Sequence, residues 1–350
     1  MTQTLFIIAL SCFTTIYLYW GFTRLTEEKL QIFASVPHEK KDAGFWTGIN
    51  FTWYGLLSAN GVALSAALFI VLASAMGVPA YYALFLLLTL LSVLLPSARW
   101  IARIVEKKQH TFTIGGSVFA GILLSPILLL ILNVCLPWIT GFSYPLVQTL
   151  AALSIAYTFG ESLGRLSCIS FGCCYGKPLS DAHPFVRNLF QNHNFIFTGH
   201  TRKACYASHL DGVKTIPIQA VTSVIYALSA LVGLVLLFSG LPLWALLETL
   251  IITQLWRSLS EFFRGDFRGN GFLSAYQIMG FAAVLLAVLT AGFLPEPTNL
   301  KADIGLGLRE LWNPMIILLL QTLWFITFVY MGRSTITFSH LSFHVNESHI

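Results

Sequence analysis

The run Glu161-Ser162-Leu163-Gly164-Arg165-Leu166-Ser167-Cys168 ends an apolar stretch that begins near Tyr144, and it breaks into Gly172-Cys173-Cys174-Tyr175-Gly176. Glu161 and Arg165 are four apart, on one helical face and within pairing reach. An ionised side chain at membrane depth is costly, so such a pair marks an interior functional site by default. The plainer alternative is an arginine snorkelling to the lipid boundary above a capping glycine. A second charged group, Arg257, Glu261 and Arg264, falls at i, i+4 and i+7 and would form one helical stripe. Guanidinium groups grip phosphate bidentately and a carboxylate fixes their orientation, so the stripe suits an anionic headgroup. The alternative is a basic membrane-surface edge that only sets topology.

Cys168, Cys173, Cys174 and Cys205 belong to one polar segment, whereas Cys12 and Cys135 lie in apolar runs. Four thiols so placed suggest two structural disulfides in an oxidising compartment. The spacing C-x4-C-C lacks the usual C-x2-C pair, so zinc is the weaker expectation and no metal site is assigned. A thiolate nucleophile beside Arg165 is the third alternative. His110 and His209 are general-base candidates by type, but isolated loop histidines are usually just solvated. No dinucleotide fingerprint, P-loop, G-x-S-x-G or H-E-x-x-H motif occurs, and no cofactor is expected.

These residues are carried by a membrane framework. Of 350 residues 56% are hydrophobic and 10% charged, against about 25% charged in soluble domains. Mean hydropathy is +0.74. The pattern predicts an all-α polytopic membrane protein with about nine spans, near 5–22, 51–75, 81–101, 115–136, 145–163, 217–238, 243–262, 272–294 and 314–331. Residues 24–50 read as a charged, partly helical interfacial segment. Residues 166–216 are long enough for a small extramembrane head. No basic cluster is interleaved with aromatics, so nucleic acid is not an expected partner. Nine spans would put 18 of the 20 lysines and arginines on the face that carries the head. The positive-inside rule makes that face cytoplasmic.

Several blocks, in order, resemble the prolipoprotein diacylglyceryl transferase family. Trp53-Tyr54-Gly55-Leu56-Leu57 is similar to the family's W-Y-G-L-M, and Gly115-Gly116 to its S-F-H-G-G block. Gly164-Arg165 through Gly172 and Gly176 resembles the family's G-R-x-G-N-F-x-N-G-E-x-x-G. Pro217-Ile218-Gln219 is similar to H-P-S-Q-L-Y-E, Arg257-x-x-x-Glu261-Phe262-Phe263-Arg264 to R-x-x-x-E-F-F-R, and Ser274-x-x-Gln277 to S-M-G-Q. The resemblance implies a seven-helix body at 50–295, with head 166–216, an added anchor and charged segment at 1–49, and an added helix and tail at 296–350. It implies transfer of a diacylglyceryl group from phosphatidylglycerol, an anionic phospholipid, to a lipobox cysteine of a preprolipoprotein, with release of glycerol phosphate.

By position, Arg165 and Arg257 would hold the lipid phosphate and Glu261 would position Arg257. Tyr54, Gly164, Gly172, Gly176, Gln219 and Arg264 would line the substrate site. The resemblance also places the protein in the bacterial inner membrane with its site at the periplasmic face, against the charge count, and that orientation is the expected one. This chain departs from the family in the groups that would activate the acceptor. The family histidine falls on Ile114, the asparagine on Cys168 and the acidic residue on Cys173. The family's H-P-S-Q-L-Y-E histidine and glutamate fall on Ile216 and Thr222, and a tyrosine falls on Thr253. Two rival expectations follow: a lipid-binding subunit that has lost catalysis, and a membrane thiol-redox protein.

Overall fold

The computed structural model describes residues 1–41, 44–106, 114–266, 273–295 and 301–350. His110 and the domain boundary expected at 296 lie outside them. Helix α1 (Thr2–Arg24) leads into a hairpin of β1 (Ile32–Lys40) and β2 (Trp46–Thr52), then into α2 (Trp53–Ala75), α3 (Ala80–Glu106), α4 (Ile114–Thr140) and α5 (Leu146–Phe171). A head follows, with α6 (Pro184–Phe190), β3 (Phe195–Ile196), α7 (Lys203–Ser208) and β4 (Lys214–Thr215). The chain re-enters the bundle as α8 (Ile218–Phe238), α9 (Pro242–Ser260) and α10 (Ala275–Phe293), and closes with α11 (Ile304–Leu311), α12 (Pro314–Gly332) and β5 (Arg333–Leu341).

Among the described residues seven helices, α1–α4, α8, α10 and α12, are both long and apolar enough to cross a membrane. The other two expected spans, α5 and α9, have spanning length (26 and 19 residues) but carry the polar residues of the site. α5 is the axis: most of its residues are buried, and α2, α8 and α9 pack around it. In lipid, helices associate through close packing and hydrogen bonds, without a hydrophobic drive between them. Small residues serve that purpose here. A Cβ at Gly160 would lie 2.6 Å from Ser65 Cβ, and one at Gly233 would lie 2.7 Å from Thr249. Ser162 and Ser223 each donate to the other's carbonyl, at 2.8 and 2.6 Å, joining α5 to α8.

The expectation for residues 24–50 is corrected by the structure. Among the described residues of this segment past the end of α1, only Glu28–Leu30 is helical, as a 3-10 turn; Ile32–Lys40 and Trp46–Thr52 are strands, and β5 from the C-terminal tail completes an antiparallel sheet in the order β1-β2-β5. Val36 pairs with Ile49, and Ile49 with Phe338. β-Branched and aromatic residues favour this, and Pro37 is tolerated because β1 is an edge strand. The decisive third strand comes from almost 300 residues away in sequence. Head, sheet and the C-terminal ends of α5 and α9 gather at one end of the bundle. At the other end the Asp303 amide donates to Ala75 O at 2.9 Å and Gln3 Nε2 to Ala302 O at 2.8 Å.

Sheet and bundle meet where α2 begins and α12 ends. A Cβ at Gly55 would lie 2.0 Å from Gly332 Cα and 2.3 Å from Gly332 N. Gly55→Ala must therefore push α12 away from α2, with an expected loss of about 1–3 kcal/mol, the usual cost of overpacking. Gly332→Ala is the control, since its Cβ would meet nothing nearer than 3.4 Å. Thermal unfolding in detergent should show a lower midpoint for the first variant only. Equal midpoints would rule out the backbone contact.

Candidate functional site

Tyr157, Glu161, Arg165 and Cys168 recur at helical spacing along one side of the last turns of α5. Glu161 accepts from Arg165 Nη2 at 2.9 Å through Oε1. Its Oε2 accepts from Arg257 Nη2, supplied by α9, and from the Tyr157 hydroxyl at 3.1 Å. The Arg165, Glu161 and Arg257 side chains are only 14%, 9% and 12% exposed. The Arg165 guanidinium also lies 5.9 Å from the centre of the Tyr226 ring, within cation–π range. One carboxylate thus serves two guanidinium groups and leaves one net positive charge in a buried place.

The Nε–H of both arginines is buried and has no partner among the described residues. A buried donor left unsatisfied costs about 1–3 kcal/mol, so two of them beside a surplus positive charge make a ready anion site. Gly115 lets Arg257 lie where it does: a Cβ there would stand 3.0 Å from Arg257 Nη1.

The stripe expected from Arg257, Glu261 and Arg264 is divided in two by the structure. The α-helix stops at Ser260, a tighter 3-10 turn covers Glu261–Phe263, and Arg264 takes extended backbone bridged to Gly176. Arg264 holds Asp266 with a fork of two 2.8 Å hydrogen bonds and reaches Glu261 at 3.3 Å. Glu161 is a carboxylate paired with Arg257, and the charge of Arg257 also acts on Glu261. Burial pushes the Glu261 and Asp266 carboxyls up, and Arg264 opposes that shift in both. Ser274 donates to Glu261 at 3.4 Å and caps α10 reciprocally with Gln277.

The remaining expected residues surround this core. Tyr54 packs edge-on to Phe171 at 5.7 Å. Gln219, at the start of α8, donates to Cys173 O at 3.0 Å, and its Oε1 is buried without a partner. Space beside Gly164 is open, with no atom within 4 Å of a built Cβ. Gly172 and Gly176 shape the loop. Gly172 ends α5 with φ +70°, and a Cβ at Gly176 would lie 2.3 Å from Ile216 O.

The thiols also differ from expectation. All six cysteines are free, so no disulfide joins the head. Cys205 stands apart with Phe197 O and Asp211, each at 3.7 Å, and burial pushes its thiol up to about 11. The head is tied down by Arg202 instead. Its guanidinium is fully buried and donates to the carbonyls of Leu25 and Ile169 at 3.1 Å, Ser170 at 3.0 Å, and Glu27. Burial lowers this guanidinium to about 10. It satisfies the loose carbonyls where α1 and α5 end.

An apolar cavity of about 180 Å³ lies between α3, α4, α5, α9 and α10. Leu90, Leu94, Val118, Leu153 and Leu250 line it, and Tyr157, the hydrogen-bond partner of Glu161, closes its polar side. A family model described as prolipoprotein diacylglyceryl transferase matches residues 44–292. The chain belongs to the prolipoprotein diacylglyceryl transferase family. No curated protein sequence matches it. Membership makes it a multi-pass membrane protein of a transferase family that acts in lipoprotein biosynthesis.

Where this member departs from the family pattern, the replacements are built into the packing. Thr222 accepts from Trp256 Nε1 at 3.0 Å, and Ile216 packs with Leu179 and Ile218. The Thr253 carbonyl accepts from the Tyr226 hydroxyl at 2.9 Å, which fixes the ring that Arg165 covers. Ile114 opens α4. Sequence reasoning passed over Tyr157, Tyr226 and Asp266. Tyr157 was findable, since it stands four residues before Glu161; Tyr226, reached only through the tertiary fold, was not.

Proposed function

We propose that this protein transfers a diacylglyceryl group from phosphatidylglycerol to the thiol of a lipobox cysteine in a preprolipoprotein, releasing glycerol phosphate. The observation that carries this reading is the Arg165–Glu161–Arg257 clamp, with two Nε–H donors that have no partner among the described residues, joined through Tyr157 to an apolar cavity. The lipid phosphate sits on the two guanidinium groups and its acyl chains run into the cavity. The acceptor sulfur attacks the glyceryl carbon bonded to the phosphate oxygen. The C–S bond forms, the C–O bond breaks, and the electron pair leaves on glycerol phosphate. Preorganised cations favour that step because they meet charge where it accumulates. The site opens at the end of the bundle that bears the head, which in this reading faces the periplasm from the bacterial inner membrane.

A lipid-binding subunit without catalysis is the second reading, favoured by Ile114 at the position of the family histidine. Purified protein, phosphatidylglycerol vesicles and a lipobox peptide separate the two. Transfer predicts one glycerol phosphate released for each thioether-modified peptide, read by mass spectrometry. Lipid bound without release would establish the subunit reading. Orientation is checked in cells by a membrane-impermeant maleimide on Asn192→Cys, in a variant stripped of native thiols. Labelling only after lysis would put the head in the cytoplasm and remove the lipoprotein acceptor with it.

A further inference from the structure

The thiols of Cys168, Cys173 and Cys174 stand outside the arginine clamp, yet their sulfurs all lie within 4.8 Å of one another. Cys168 sits in the last turn of α5, and the left-handed turn at Gly172 folds the next two residues back beside it. Cys174 has φ +53°, a conformation that non-glycine residues seldom take. The turn is pinned from several sides. Cys173 N–H donates to Cys168 O at 3.0 Å, Ala204 N–H to Gly172 O at 2.9 Å, and Gln219 Nε2 to Cys173 O at 3.0 Å. Arg165 is one turn before Cys168 on the same helix.

We propose that Cys168, Cys173 and Cys174 form a three-thiolate site for a thiophilic d10 cation, Zn2+ or Cu+. Soft thiolate ligands select these ions over the hard divalent cations. A tetrahedral zinc shell with Zn–S near 2.3 Å sets its sulfurs about 3.8 Å apart, and the three sulfurs here lie within 4.8 Å of one another. Among the described residues no fourth His, Cys, Asp or Glu shares the cluster. Three protein ligands and an open position are the arrangement of catalytic zinc, whereas structural zinc is closed by four.

The use of that open position rests on the transferase reading. Cys168 follows Arg165 by three residues, so the position adjoins the phosphate clamp. An acceptor thiol bound there gives its proton to water and remains as a metal-held thiolate, which then displaces glycerol phosphate as above. The site would supply the thiol activation for which this chain has Ile114 in place of the family histidine.

The test uses the full chain, purified in detergent under reducing conditions and loaded separately with Zn2+ and with Cu+. Metal analysis should find about one ion per folded chain, and the two loadings show which ion is held against a competing chelator. Cobalt in place of zinc should give a thiolate-to-metal charge-transfer band. Cys168→Ser, Cys173→Ser and Cys174→Ser should each weaken binding by at least the roughly 10–100-fold that loss of a supporting group costs. Cys205→Ser and Cys12→Ser should hold metal like the parent. Size-exclusion and thermal unfolding show that each variant is folded. A folded parent that binds neither ion, or a disulfide between any two of the three in protein purified without reductant, overturns the site. Metal bound with transfer unaffected by its removal overturns the activating role. Metal bound with no transfer at all supports the site and counts against the transferase reading alone.

Discussion

Arg257→Ala and Arg165→Ala should each cut turnover of phosphatidylglycerol by about 10²–10³, the usual loss when one preorganised donor to a developing anion is removed. Each variant changes the clamp's net charge from +1 to zero and removes one of the two free Nε–H donors. The loss belongs mainly in kcat, because the leaving phosphate gains charge as the C–O bond breaks. The two substitutions should not add. Both arginines lean on Glu161, so removing one frees the carboxylate to neutralise the other. Arg257→Lys should recover only part of the rate, since an ammonium cannot hold Glu161 and offer a second directed donor in the same plane. Steady-state kinetics on folded protein, with released glycerol phosphate as readout, decides it. Both single variants within about threefold of the parent would sink the clamp as the phosphate site.

How far the sequence could be read depends on the range of each interaction. Spanning helices announce themselves by composition alone, and α1–α4, α8, α10 and α12 fall where the hydropathy places them. The Glu161–Arg165 pair is legible because helical spacing is local. The Glu161–Arg257 pair spans 96 residues of sequence and becomes visible only when α5 and α9 pack. The Arg257–Glu261–Arg264 stripe misled for a comparable reason. Helical spacing assumes a continuing helix, and three residues of 3-10 turn after Ser260 rotate Arg264 away toward Asp266. The sheet was hidden because β1 and β2 need β5 as their third strand. The thiol cluster was hidden because the spacing C-x4-C-C says nothing of proximity until the turn at Gly172 brings the three sulfurs together.

Glu161→Gln should be the most destabilising change at the site, at about 3–5 kcal/mol, the range for removing one partner from a buried ion pair. The amide has nearly the shape of the carboxylate, so packing is preserved and the loss is electrostatic. Two guanidinium groups then face each other in a buried place with no carboxylate between them, and a net charge of +1 becomes +2. Glu161→Asp should fall between the two, because a side chain one methylene shorter cannot span both Arg165 and Arg257 at hydrogen-bond distance. The variant should also respond differently to lipid. Anionic phosphatidylglycerol supplies the missing negative charge, whereas zwitterionic phosphatidylcholine carries a compensating cation of its own. Thermal unfolding in mixed micelles should therefore show a larger rise in midpoint on adding phosphatidylglycerol for Glu161→Gln than for the parent, and no such difference with phosphatidylcholine. Parent-like stability in Glu161→Gln would mean that Arg165 and Arg257 do not converge on this carboxylate. An equal response to both lipids would mean that the clamp does not recognise headgroup charge.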